Sequence, residues 1–171
     1  FRAFVKEFPK SEHADRALFN AVVTYEAAKQ LDEAIPVAEQ LVRDYKTSEF
    51  VPKTVSMLGS FNERVAEFRR AAEYYERYAA LYGPADDEDK AEAKAKAKAK
   101  PAKAAKAAKS VGTPADELAR PVKVDAKIAE LVPDHLYNAA FWYEGIGEYG
   151  KATALYTRYL KLFKSRKDVP D

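Results

Sequence analysis

A triplet of aromatic and apolar residues recurs in this chain at a fixed spacing, and that recurrence limits the possible folds more than anything else in the sequence. Tyr75, Tyr78 and Tyr82 return 37 residues earlier as Ala38, Leu41 and Tyr45, and 37 earlier again as Phe1, Phe4 and Phe8. They return 81 residues later as Tyr156, Tyr159 and Phe163. Three-and-four spacing puts each triplet on one face of a helix. The pair Val51-Pro52 obeys the same arithmetic, coming back as Val132-Pro133 and Val169-Pro170. The unit is therefore 37 residues long, interrupted once by an extra 44, the difference between 81 and 37. Self-similarity at a period of roughly 20 to 50 residues is the mark of units that stack because none can bury its apolar face alone.

Each unit reads as two amphipathic helices. In the first, residues 12 to 28 place Ala14, Ala17, Leu18, Ala21, Val22 and Tyr25 on one stripe, and residues 32 to 45 place Ala34, Ile35, Ala38, Leu41, Val42 and Tyr45 on another. Pro36 is expected in the first turn of that second helix, where a missing N–H is harmless, and Ser11 and Ser48 are expected as N-caps. The second unit carries Val55, Leu58, Gly59 and Phe61, then Phe68, Ala71, Ala72, Tyr75, Tyr78 and Tyr82, and stops at Gly83-Pro84. The third carries Leu136, Ala139, Ala140 and Tyr143, then Ala152, Leu155, Tyr156, Tyr159, Leu162 and Phe163. Its first helix should break near Gly145 and Gly147, with the second starting at about Glu148. The expected division is the end of a preceding helix over 1–8, units over 9–46, 47–83 and 129–164, and the opening of a further unit over 165–171, as if cut from a longer array. Residues 84–128 fall outside the pattern. Their run KAEAKAKAKAKPAKAAKAAKS has no side chain able to anchor a core, so it reads as a mobile insertion with VGTPADELARP as its return path.

The totals exclude several classes. With 47% hydrophobic residues and 11 Tyr, 9 Phe and 1 Trp, the chain can build a continuous core. Net charge is +2, but residues 90–109 hold eight lysines and one glutamate, so that stretch contributes +7 and the remainder −5. A generally basic surface is not implied. Absence of cysteine rules out disulfides, thiolate metal sites and a cysteine nucleophile. No run of about 18 apolar residues is present, so no membrane-spanning helix is expected.

Helix, short turn, helix at this spacing resembles the tetratricopeptide repeat family. That family's large, medium, small, aromatic series in its first helix is similar to Leu18, Ala21, Val22, Tyr25, then Val55, Leu58, Gly59, Asn62, then Leu136, Ala139, Ala140, Tyr143. The small residue opening the second helix is similar to Ala34, Ala71 and Ala152, and the aromatic-then-small pair falls on Ala38 with Leu41, Tyr75 with Tyr78, and Tyr156 with Tyr159. The period is 37 rather than the family's usual length. Val22 stands where a glycine is usual, and Ala38 and Leu41 reverse the expected sizes. Asn62 takes an aromatic place, which predicts less regular packing in the second unit. The resemblance implies an all-α, right-handed solenoid of helical hairpins, interrupted by the Lys/Ala insertion. The phrases FPKSEHADRALFNA and LYNAAFWYEGIGEYGKA resemble the bacterial subset found in periplasmic and outer-membrane-associated lipoproteins, which implies a scaffold in an envelope-type assembly.

In that family the first helix of each hairpin lines a concave face that holds protein partners. The resemblance therefore implies a surface for a peptide or helix made of Arg16, Phe19, Asn20, Val23 and Glu26, of Lys53, Ser56, Ser60, Glu63 and Arg64, and of Asp134, Tyr137, Asn138, Phe141 and Glu144. Aromatics flanked by charges suit such a partner. Recognition of a terminal carboxylate is disfavoured, because Phe19 and Tyr137 stand where lysine would be wanted. Self-association through exposed repeat ends is a further expected mode. The alternative is binding of anionic polymers, lipid headgroups or acidic proteins by Lys94, Lys96, Lys98, Lys100, Lys103, Lys106 and Lys109. With no interleaved aromatic for base stacking, sequence-selective nucleic-acid recognition is not expected there. A third reading is an accessory domain of a larger enzyme. Gly145, Gly147 and Gly150 spell GxGxxG, but after a helix rather than a strand, which argues against a dinucleotide site. His13 and His135 lack companions at ligand spacing and read as partly exposed surface residues, and no serine has an evident histidine partner. No cofactor, metal or catalytic role is expected.

Overall fold

In the computed structural model, which describes residues 1–84, 113–121 and 124–164, the chain is helical wherever the apolar spacing calls for it. The helices are α1 (Arg2–Glu7), α2 (Ala14–Ala27), α3 (Leu31–Asp44), α4 (Val51–Arg64), α5 (Phe68–Tyr82), α6 (Ala126–Glu130), α7 (Val132–Gly145) and α8 (Tyr149–Leu162), with one 3-10 turn at Pro114–Glu117. Among the described residues there is no strand, and no helix is long and apolar enough to cross a membrane. The starts of α2, α4 and α7 differ by 37 and then 81 residues, and so do the starts of α3, α5 and α8. Each hairpin thus begins and turns at the same place in the repeat.

The turns explain how. Lys29, Ala66 and Gly147 occupy equivalent positions and all have positive φ, at 59°, 62° and 81°. Beyond each, an amide reaches back across the helix end: Gln30 N–H to Tyr25 O at 2.9 Å, Glu67 N–H to Asn62 O at 2.8 Å and Glu148 N–H to Tyr143 O at 2.8 Å. A second bond runs from the N–H of each positive-φ residue to the backbone carbonyl three positions earlier, that of Glu26, Glu63 or Glu144. This is the left-handed helix cap that satisfies the last free carbonyls and turns the chain into the second helix. The break at Gly145–Gly147 and the restart at Glu148–Tyr149 fall where the sequence places them. The GxGxxG glycines belong to this turn, and only Gly147 among them needs its φ.

Three local expectations need correction. Pro36 is the sixth residue of α3, inside the helix rather than in its first turn. It is tolerated on the exposed side of the helix, where Asp32, whose carbonyl loses its donor, is exposed as well. Ser11 and Ser48 sit three residues ahead of α2 and α4. Their hydroxyls accept from His13 N–H and Phe50 N–H, both at 3.2 Å, so they close the lead-in turn instead of capping the helix. Asn62 does not loosen the second hairpin: it is buried and donates Nδ2–H to Leu58 O at 2.7 Å, which satisfies it locally.

Successive helices pack in chain order: α1 on α2, α2 on α3, α3 on α4, α4 on α5, α5 on α7 and α7 on α8. The α5–α7 junction spans the insertion, so the stack continues as if the extra residues were absent. One seam is copied in detail. Tyr75 donates to Glu63 Oε2 at 2.9 Å, and 81 residues later Tyr156 donates to Glu144 Oε2 at 2.9 Å.

The return path of the insertion is not loose throughout. Ala115 and Leu118 are buried, and the Arg77 guanidinium donates to the carbonyls of Ala115 (2.9 Å), Asp116 (3.3 Å) and Leu118 (2.5 Å). Lys46 Nζ adds a 2.7 Å ion pair to Glu117. Two small apolar side chains and one arginine on α5 thus dock residues 113–118 onto the helices. The lysines at 94, 96, 98, 100, 103, 106 and 109, and the expected further unit at 165–171, lie outside the described residues.

Candidate functional site

The fifteen residues of the expected partner face sit on α2, α4 and α7, the first helices of the three hairpins. These helices run side by side in the same direction. At the starts of α2 and α4, the Phe19 ring stacks on Phe50 at 4.7 Å, with Lys53 Nζ 5.3 Å from the Phe19 centroid and Arg16 6.0 Å from that of Phe50. Arg16 also approaches Glu49 at 3.8 Å. At their ends, Arg64 meets Glu26 at 3.4 Å. Two stacked rings between two cations, closed by an ion pair, form the seam between the first two hairpins.

The next seam is built differently. Glu63 accepts from Tyr75 and, at 3.3 Å, from Trp142 Nε1–H, while the Trp142 ring lies flat on Phe68 at 4.4 Å. Near the other end of α7, Ser56 Oγ and His135 Nε2 are 2.8 Å apart, and His135 Nδ1 is 2.7 Å from Leu131 O. A carbonyl can only accept, so Nδ1 carries the proton and Ser56 donates to Nε2. Tyr78 stacks on the imidazole at 4.1 Å and Tyr75 meets it edge-on at 5.2 Å. His135 is thus buried, not a surface residue, and burial holds its pKa below the ordinary histidine value.

A serine donating to a histidine is half of a nucleophilic machine, but this pair has the setting of a structural link. Thr54 is the equivalent of His135 one repeat earlier. Its hydroxyl donates to Phe50 O at 2.8 Å, the same bond four residues back. Ser56 lies in mid-helix, where the neighbouring amides serve the helix itself and cannot converge on an oxyanion. Among the described residues no three His, Asp or Glu side chains gather as a metal site.

Most of the expected face is therefore spent on holding hairpins together. Phe19, Ser56, Glu63, Glu26 and Arg64 bridge neighbouring helices, while Tyr137 packs edge-on against Tyr156 and Tyr159, and Glu144 takes the Tyr156 hydroxyl. Asn20 and Asp134 are exposed, and Ser60 and Asn138 are half-buried. At one register the apolar surface stays open to solvent, with Val23 40% and Phe141 49% exposed on either side of Ser60. Phe50, His135 and Trp142 shape this face and were not legible as doing so, because each acts on a helix far away in sequence.

No protein-family model matches the chain, and no curated protein or solved structure matches it.

Proposed function

We propose that this chain is a non-enzymatic scaffold for protein–protein interaction, a right-handed solenoid of the tetratricopeptide type in an envelope-type assembly, whose concave α2–α4–α7 face takes a peptide or helix. The observation that carries it is the open register Val23–Ser60–Phe141. Two large apolar side chains stay exposed on a face otherwise braced by rings and ion pairs. The aromatic and Arg/Lys pairs around that register fix its walls, and a rigid surface loses little entropy when a partner binds. Two exposed apolar side chains flanking a small serine, with charges around them, suit an amphipathic segment, whose apolar anchors supply affinity and whose polar edge sets register.

The test is selection of displayed short helical peptides on the intact chain. Enriched peptides should lose about tenfold or more in affinity on Val23→Glu and Phe141→Glu. They should keep it on Asp32→Lys, an exposed change on α3. Peptides that bind all three variants equally would sink the assignment.

A further inference from the structure

The last described helix, α8, carries an uncovered surface whose equivalents are buried everywhere else. Val5 on α1, Val42 on α3 and Ala79 on α5 occupy one position of the repeat and are 3%, 0% and 2% exposed; Leu160 on α8 occupies the same position and is 47% exposed. The reason is packing order. The helices α1, α3 and α5 are each covered by the first helix of the next hairpin, namely α2, α4 and α7, whereas among the described residues nothing covers α8. Tyr149 shows the same thing at the other end of α8. It stands where Phe68 stands on α5, and Phe68 is stacked on Trp142 while Tyr149 is open to solvent.

The surface that fits α8 is present in this chain. The eight residues FRAFVKEF at 1–8 align without a gap on YTRYLKLF at 156–163, with aromatics at the first, fourth and eighth places and Val5 opposite Leu160. α2 therefore already binds a short helix with the pattern of α8. That helix, α1, is only six residues long; Val5 is its one buried side chain, and a half-exposed ion pair, Arg2 to Glu33 on α3 at 3.0 Å, adds to it. α8 has fourteen residues and comes braced against α7.

We infer that a second copy of this chain docks head to tail, with α8 of one copy displacing α1 from α2 of the next. Leu160 then takes the place of Val5, and Thr157 takes that of Arg2, bringing no charge to oppose Glu33. Each copy has one donating end and one receiving end, so the contact is heterologous; because the junction repeats the register of the hairpin stack it extends as an open array, and chains lengthen as concentration rises. This assembly depends on the repeat register and stands whether or not the concave face binds a peptide.

Sedimentation velocity of the intact chain over a concentration series reads it directly. The wild type should form a ladder of dimer, trimer and larger species. Leu160→Glu, at an exposed site that leaves the fold unchanged, should weaken association about tenfold or more. Val5→Asp should act in the opposite direction, because loosening α1 frees α2. Its circular dichroism should stay near that of the wild type, since α1 is six residues. A monomer at every concentration, a dimer that stops there, or association unaffected by Leu160→Glu would each overturn the inference. So would Val5→Asp leaving association unchanged, since α8 would then be docking somewhere other than the α1 place on α2.

Discussion

Gly59 has no side chain where the ring of Tyr75 lies: a Cβ placed on it would be 2.4 Å from Tyr75 Cε1 and 2.6 Å from Cδ1. The ring has little room to move aside. Its hydroxyl is bonded to Glu63 and its ring stands nearly at right angles to that of His135. In the first hairpin the equivalent pair is Val22 and Ala38, both fully buried. The sizes are exchanged across the hairpin, so the large Val22 and the small Ala38 compensate each other. Gly59→Ala is expected to destabilise by up to about 2 kcal/mol, an overpacking penalty of roughly 1–3 kcal/mol less about 1 kcal/mol of helix propensity regained. Tyr75→Ala alone opens a cavity and loses about 3–5 kcal/mol. The double change Gly59→Val with Tyr75→Ala copies the first hairpin, and urea denaturation should find it more stable than the two effects added, by about 1 kcal/mol or more. Strict additivity would remove the exchange as an explanation.

The three left-handed turn residues offer a second test. Only Gly147 suits its φ; Lys29 and Ala66 hold the same conformation with a Cβ, at a steric cost of roughly 1–2 kcal/mol. Replacing either with glycine relieves that strain but gives the unfolded chain more freedom, about 0.4–1 kcal/mol in the other direction. Ala66→Gly should therefore stabilise by about 0.5–1 kcal/mol, and Gly147→Ala should destabilise by a similar amount. A shift of the urea midpoint in the same direction for both would contradict the equivalence of the turns.

Burial of His135 makes the middle of the stack sensitive to acid. Its folded pKa lies below the ordinary value of 6.5, chiefly through desolvation, with the Leu131 carbonyl and Asp134 pulling the other way. Ser56, Tyr75 and Tyr78 are its other neighbours. The unfolded chain takes up this proton first as pH falls, so stability is full above about 6.5 and declines below it until the folded pKa is reached. The slope contributed by this group approaches at most about 1.4 kcal/mol per pH unit. Trp142, the single tryptophan, lies on Phe68 at the same seam, so its emission reports the opening. Denaturation midpoints from pH 7.5 to 5 followed by that signal should fall, and His135→Gln should flatten the fall. An unchanged slope in the variant would assign the acid sensitivity elsewhere.

Helix limits and turns were legible because they are written three times. A period of 37 residues with one 44-residue interruption fixes where each hairpin starts, and equivalent stretches obey the same local physics. Contacts made once were not legible. Ser56 with His135 and Glu63 with Trp142 join residues 79 apart, and no local periodicity signals which helix faces which. One clue did exist for His135. Its equivalents Ala17 and Thr54 fall on the buried stripe, so the register alone pointed inward. The fifteen positions expected to form a partner face could be placed on the first helices but not read as a surface, since the same positions serve both to join helices and to meet solvent.

Arg77 is the clearest contact of that unrepeated kind. Its position on α3 is taken by Gln40, and on α5 its side chain donates to three carbonyls of one short turn, those of Ala115, Asp116 and Leu118. Hydrogen bonds from a charged donor to otherwise solvated carbonyls contribute about 1.5–3 kcal/mol, whereas the apolar anchors here are only Ala115 and Leu118. The arginine therefore decides whether this segment is docked. Arg77→Ala should speed amide exchange at Leu118, whose N–H is bonded to Ala115 O at 3.1 Å, by roughly ten- to a hundredfold. Exchange in α4 and α7 should stay as it was, because those helices are held by seams Arg77 does not touch. If Leu118 stays protected in the variant, the two buried side chains and the Lys46–Glu117 pair are sufficient, and Arg77 is a bystander.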